Sequence, residues 1–191
     1  MKNTGILIGF VPLVVFGILA GNSVSGMILA SGAALIATVI VSYSDLRKGM
    51  ILSWTNLVLF GGLLLMIGPW GLTGLIPWTG VIIYAVLAGV TFGSILAGIP
   101  FTLQYAREMV APALWENPAF LRVNLLMTGT WGTLFVINLG LSYLVLAGPV
   151  IPGRIAMILT YAVLVSGILF TLWYPRYIQK KHSACAGTDR G

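Results

Sequence analysis

The side chain best placed to do chemistry inside this chain is an amide. Asn138 sits deep in an apolar run that also carries Thr130, Thr133 and Ser142. An amide in hydrocarbon needs a hydrogen-bond partner, so Asn138 is expected to face another helix, with Tyr84, Thr160 or Tyr161 as partner. That placement has two readings. One is a structural hydrogen bond between helices. The other is a polar substrate path lined by Asn138, Thr133 and Tyr84. No Asp, Glu, Lys, Arg or His falls in the middle of any apolar run. Ionisable groups within a membrane are the usual mark of proton relays and ion pathways. Their absence argues against a proton-coupled transporter, a pump and most hydrolysis within the bilayer. The sequence has no His-Glu metal pair, no phosphate loop and no nucleophile motif. Cys185 and His182, both in the polar tail, are the only soft ligands, and two residues do not make a metal site. No catalytic residue, cofactor or metal site is therefore expected.

The second polar constellation lies in the segment 100–124, the most unusual of the chain. Phe101, Tyr105 and Met109 recur every four residues, which places them on one helical face, while Gln104, Arg107 and Glu108 lie towards another. This spacing predicts an interfacial helix over 101–110, lying along the inner membrane surface. Trp115 and Phe120 would anchor the second half. Gln104, Arg107, Glu108, Trp115 and Arg122 then form a candidate docking surface facing the cytoplasm; the plainer reading is a connector that lies on the membrane.

Composition dictates what positions these residues. The 191-residue chain is 59% hydrophobic and only 7% charged, with a mean hydropathy of +1.03. A soluble domain carries roughly 25% charged residues, so the outer surface of this one must face lipid. A hydrocarbon core about 30 Å thick needs ~20 apolar residues per helix. The fold class expected is all-α, a polytopic transmembrane bundle in a single domain over 1–175, followed by a basic tail over 176–191. Six apolar runs are read as helices at about 4–20, 26–41, 51–67, 78–99, 125–146 and 155–174. The start of the chain has some features of a signal peptide, but a single Lys2 precedes the apolar run, so an uncleaved first helix is expected.

The segments between the runs alternate between charged and uncharged. Positive residues stay on the cytoplasmic side. With the N-terminus inside, six helices place Lys2, Arg47, Lys48, Arg107, Arg122, Arg176, Lys180, Lys181 and Arg190 in the cytoplasm and only Arg154 outside, which is nine of the ten Lys and Arg. Both termini are then cytoplasmic. The net charge of +6 reads as a topology signal and an attraction to anionic lipid headgroups, not as a nucleic-acid signal. Trp54, Trp70, Trp78, Trp173 and Tyr174 lie near span ends, where amphipathic rings prefer the headgroup level.

Lipid removes the hydrophobic drive for helix association, so small residues that let backbones approach must take its place. The fourth run carries Ala85, Gly89, Gly93 and Ala97 at four-residue spacing, and the second carries Gly26, Ala30, Ala34 and Thr38. These two helices are expected to be central and to pack on each other within the chain; a homodimer face is the alternative. Asn56-Leu57-Val58 and Asn124-Leu125-Leu126 each open a Gly-rich run that ends in Gly-Pro, a weak sign of a hairpin duplication.

Several segments together carry a family resemblance. They are Phe10-Val11-Pro12-Leu13 in the first run, Ala37-Thr38-Val39-Ile40-Val41 before a basic loop, Leu59-Phe60-Gly61-Gly62-Leu63, Val81-Ile82-Ile83-Tyr84 through Gly89, and Val123-Asn124-Leu125 with Trp131-Gly132-Thr133-Leu134-Phe135 and Asn138. In that order, over roughly residues 6–175, the chain resembles the bacterial intracellular septation protein A family of inner-membrane proteins. The resemblance implies a multi-pass protein of the bacterial inner membrane, linked with cell division and envelope integrity, that works through membrane-protein partners or as a homo-oligomer. The stretch Phe101 to Trp115 departs from the family's pattern.

The first functional reading is a non-enzymatic scaffold or accessory subunit of the cell envelope. The alternatives are a small channel or facilitator for a neutral or weakly polar solute, and a lipid-handling protein. A polar cavity through the bundle would favour the facilitator. A solid bundle with lateral apolar grooves would favour the scaffold or the lipid handler.

Overall fold

The computed structural model describes residues 4–148 and 151–188, and every element among them is helical. Lys2, Pro149 and Arg190 lie outside the described residues, as do the side chains of Lys180, Lys181, His182 and Cys185. In chain order the helices are α1 (Thr4–Ile8), α2 (Val11–Leu19), α3 (Val24–Val41), α4 (Tyr43–Arg47), α5 (Ile51–Ile67), α6 (Thr79–Leu96, entered through a 3₁₀ turn at Thr73–Trp78), α7 (Phe101–Arg107), α8 (Pro118–Ala147) and α9 (Gly153–Thr188). Four stretches are long and apolar enough to cross a membrane: Val24–Val41, Thr73–Leu96, Pro118–Ala147 and Gly153–Ile178. Gly5–Leu19 and Ile51–Ile67 are shorter apolar helices. The chain is thus an all-helical membrane protein.

Local chemistry sets the ends that periodicity alone misplaced. The helix expected from residue 26 starts at Val24 because Ser23 caps it, its hydroxyl oxygen accepting the Gly26 N–H at 3.1 Å. The helix expected from residue 125 starts at Pro118, two turns earlier. Asn117 accepts the Ala119 N–H at 2.9 Å, and Pro118 at the first helical position has no N–H to leave orphaned. The last helix runs through Pro175 rather than stopping before it.

The first apolar run is broken. Pro12 has no N–H for the Ile8 carbonyl, and the helix resumes only at Val11. The break leaves the Gly9 carbonyl inside the protein, and Asn56 of α5 satisfies it, donating from Nδ2 at 2.8 Å. Backbone groups at membrane depth must be paired within the protein, and this buried amide does that for the break.

The α3 stripe is buried, but not against α6. Ala30, Ala34 and Thr38 are fully buried, and α3 lies between α2 and α5. The α6 stripe is not buried. Ala85, Gly89, Gly93 and Ala97 are all exposed, and no atom lies within 4 Å of a Cβ built on Gly89 or Gly93. The opposite face of α6, with Ile83, Tyr84, Leu87, Ala88, Thr91 and Ser94, is buried, and α6 lies along α8. The expected pairing of α3 with α6 through their stripes is therefore corrected. Close approach happens elsewhere: Gly132 of α8 lies under the Phe92 ring, and Gly167 of α9 lies against Leu134 and the Trp131 indole.

Trp131 ties the bundle together. Its ring stacks on Phe10 at 4.2 Å between centroids and lies 5.6 Å from Phe135. Its Nε1 donates to the Thr171 hydroxyl of α9 at 3.0 Å, and that hydroxyl in turn donates to the Gly167 carbonyl at 2.8 Å. A second stacked pair, Phe16 with Phe60, joins α2 to α5 at 5.3 Å.

Candidate functional site: an amphipathic pocket at the basic end

Arg47, Lys48, Arg107 and Arg176 lie at one end of the bundle, and there the polar residues of the 100–124 segment turn inward. α7 is short, and Phe101, Thr102, Leu103 and Tyr105 are buried. It ends at Arg107 rather than at 110, and its apolar face is buried against protein, chiefly α8 and α1. Thr102 donates to the Asn124 carbonyl at 2.9 Å. Its one hydroxyl hydrogen is then used, so the 2.7 Å contact with Thr128 has the Thr128 hydroxyl as donor. Asn124 donates from Nδ2 to the Phe120 carbonyl at 2.9 Å.

The candidate docking residues mostly serve this closure. Gln104 Oε1 accepts the Ile51 N–H at 2.9 Å, which caps α5. Glu108 pairs with Lys48 at 2.7 Å, both side chains being partly exposed. Exposed pairs of this kind contribute about 0–1 kcal/mol, so this one fixes position more than stability. The Lys48 ammonium is nonetheless held above its usual range by its hydrogen bond to Glu108, and burial raises the nearby Asp45 carboxyl, with Glu108 adding to it. The Arg107 guanidinium lies 5.4 Å over the Trp115 ring, and the Trp115 Nε1 donates to the Arg107 carbonyl at 3.2 Å. Arg122 is exposed.

Behind this closure lies a pocket of about 370 Å³ between α7, α8 and α9, with Ile6 of α1 in its wall. Met109, Val110, Phe120, Val123, Met127 and Ile178 make it largely apolar. Thr102, Tyr105, Asn124, Thr171 and Arg176 are its polar lining. Tyr105 is pushed up to about 12, chiefly by burial and against the effect of its hydrogen bond with Ser53, so it lines the pocket as a neutral phenol. Arg176 is exposed at the edge, and among the described residues no carboxylate lies within 4 Å of it. Pro175 has no N–H to give to the Thr171 carbonyl, which loses its usual helical donor at the pocket wall. Among the described residues the lining includes no carboxylate, imidazole or thiol. The pocket can hold an apolar group and a polar head.

A second concavity, about 600 Å³, is a shallow apolar groove between α5 and α6, lined by Trp54, Val58, Gly62, Met66, Ile82 and Val86.

Of the polar set proposed for a path through the bundle, Asn138 and Tyr84 are buried and Thr133 is not. Asn138 is fully buried, but neither Oδ1 nor Nδ2 finds a protein partner among the described residues. Thr133 is on an exposed face, its hydroxyl donating to the Gly129 carbonyl of its own helix at 3.0 Å. Tyr84 is buried against α8. Thr133 and Asn138 are five residues apart, which turns them about 140° from each other around the helix. Among the described residues no three His, Cys, Asp or Glu come together as a metal site.

Two of the working polar residues were missed by sequence reasoning. Asn56 opened a weak repeat there; its signal was an amide in an apolar run of a chain whose first helix is interrupted by Pro12. Thr171 carried no signal, since its partner Trp131 is forty residues away. Against protein-family models, curated proteins and solved structures the chain finds no match, and its function is read from this geometry.

Proposed function

We propose that this protein is a non-enzymatic, lipid-handling protein of a bacterial inner membrane that seats an amphiphile in the pocket at its basic end. The observation that carries this reading is the pocket itself: an apolar chamber between α7, α8 and α9 with Arg176 at its edge. Pockets for small ligands are mostly apolar, with a few polar groups that fix orientation, and this one has that make-up. A facilitator would need polar side chains converging along the bundle, and Thr133 turns away from Asn138 onto an exposed face. The scaffold or accessory role has one observation of its own, the exposed stripe Ala85, Gly89, Gly93 and Ala97, a surface on which another transmembrane helix packs closely. The inner-membrane location, and an envelope or septation setting, belong to the same proposal and rest on the resemblance of the order of motifs to the septation protein A family.

The test of lipid handling is native mass spectrometry of the full chain released from its membrane. The wild type is expected to retain lipid, and Val123→Trp, which fills the chamber, is expected to lose it while melting at a similar temperature. Equal lipid retention by a folded Val123→Trp protein would remove the pocket from the account.

In this reading the chain crosses the membrane six times with both termini in the cytoplasm, so the basic end is the cytoplasmic end. The split of nine basic residues against Arg154 supports that orientation. Single cysteines introduced at Ser23 or Thr73, in a Cys185→Ser background, are expected to react with an impermeant maleimide added outside intact cells. A cysteine at Lys48 is expected to react only after permeabilisation. Labelling at Lys48 from outside would overturn the orientation.

A further inference from the structure

Resting on the lipid-handling reading, we infer that the pocket is built for a single-chain amphiphile with an anionic headgroup, its head at Arg176 and its chain running inward along α8. The arrangement follows from where the lining residues lie along their helices. Phe120 and Met127 are seven residues apart on α8, which is about 10 Å of helix. Arg176 and Thr171 are separated by about 7.5 Å on α9. The guanidinium therefore lies at the outer end of the chamber, and Met127 and Ile6 form the apolar inner end.

The head is anionic because of what Arg176 lacks and what surrounds it. A guanidinium recognises carboxylate and phosphate through several parallel N–H donors, and no described carboxylate occupies Arg176. Of the acidic groups at this end, Glu108 holds Lys48, Asp45 is attracted to that same Lys48, and Glu116 lies on the exposed loop and is not part of the chamber lining. The remaining polar lining is buried and largely committed, with Thr102, Asn124 and Thr171 each donating to a carbonyl of the protein. Among the described residues, what stays open on this lining is the Arg176 guanidinium, and Pro175 gives the Thr171 carbonyl no helical N–H. A headgroup that carries negative charge satisfies the guanidinium.

The occupant has one chain because of volume. About 370 Å³ is at the low end of the ~300–1,000 Å³ that ligand pockets occupy, so it takes most of one acyl chain, whose end reaches past the chamber, and leaves no room for a second.

The experiment uses the full chain in a neutral detergent, titrated with hexadecanoate, hexadecanol, a lysophosphatidate and a two-chain phosphatidate, with binding read by native mass spectrometry. Hexadecanoate and lysophosphatidate are expected to bind at one equivalent, and hexadecanol more weakly. Arg176→Gln is expected to weaken the two anionic single-chain ligands about ten- to a hundredfold, the loss of one charge-assisted contact, and to leave hexadecanol unchanged. Arg176→Lys is expected to recover part of the affinity. If hexadecanol matches hexadecanoate and Arg176→Gln affects neither, the headgroup assignment is wrong while the lipid-handling reading stands. Tighter binding of the two-chain phosphatidate than of the lysophosphatidate overturns the single-chain assignment. If no probe binds saturably and Val123→Trp changes nothing, the lipid-handling reading falls with it.

Discussion

Gly167→Leu is expected to loosen the bundle severely, and Gly89→Leu to leave it as stable as the wild type. A Cβ on Gly167 would lie 2.6 Å from Leu134 Cδ1 and 3.0–3.1 Å from the edge of the Trp131 indole. Leu134 can swing aside; Trp131 cannot. It is 1% exposed, stacked on Phe10 and hydrogen-bonded to Thr171. A leucine there must push α8 and α9 apart, and overpacking of this kind costs about 1–3 kcal/mol, with lost Trp131 contacts added to it. The same leucine on Gly89 meets open space on a lipid-facing surface, where a substitution changes stability by about 0.5 kcal/mol or less. Thermal melting in detergent, with the oligomeric state followed by cross-linking in the membrane, decides the matter. If Gly89→Leu melts as low as Gly167→Leu, the packing described for α6 is wrong. If it melts normally but loses a cross-linked dimer, the α6 stripe meets a second copy.

Asn138→Leu is expected to stabilise the protein. The side chains are similar in size, so no large cavity opens. The amide is fully buried, with a donor and an acceptor that find no protein partner among the described residues. A buried polar group left unsatisfied costs about 1–3 kcal/mol, and replacing it with an apolar group of like shape recovers that amount. For a chain of this size a kilocalorie corresponds to about 2–4 °C in Tm. A Tm that falls by a similar amount would show that the amide is hydrogen-bonded in the working protein, and would restore Asn138 as a candidate for a polar path.

Much of the helical content was legible in the sequence, and for simple reasons. Runs of apolar residues with hardly a charge among them can only be helices facing lipid or one another. Ser23 and Asn117 mark helix starts by their capping chemistry, although both starts were read too late because the apolar pattern was given more weight than the caps. The clustering of Arg47, Lys48, Arg107 and Arg176 at one end was likewise present in the order of charged and uncharged loops. The small residues of α3 are buried, although against α2 and α5 rather than the α6 stripe.

What tertiary structure alone decided was which face meets which. In a membrane, lipid is as apolar as leucine, so amphipathic periodicity no longer marks the inward face. The stripe on α6 and the Leu87 face opposite it were equally admissible, and only the fit against α8 chose between them. Gln104, Glu108, Arg107 and Trp115 read as an exposed set because they share a loop. They close the basic end because Ile51 and Lys48, more than fifty residues earlier, arrive beside them. The pocket has the same origin: its walls come from α1, α7, α8 and α9, and no local pattern in any one of them encodes a space between all four.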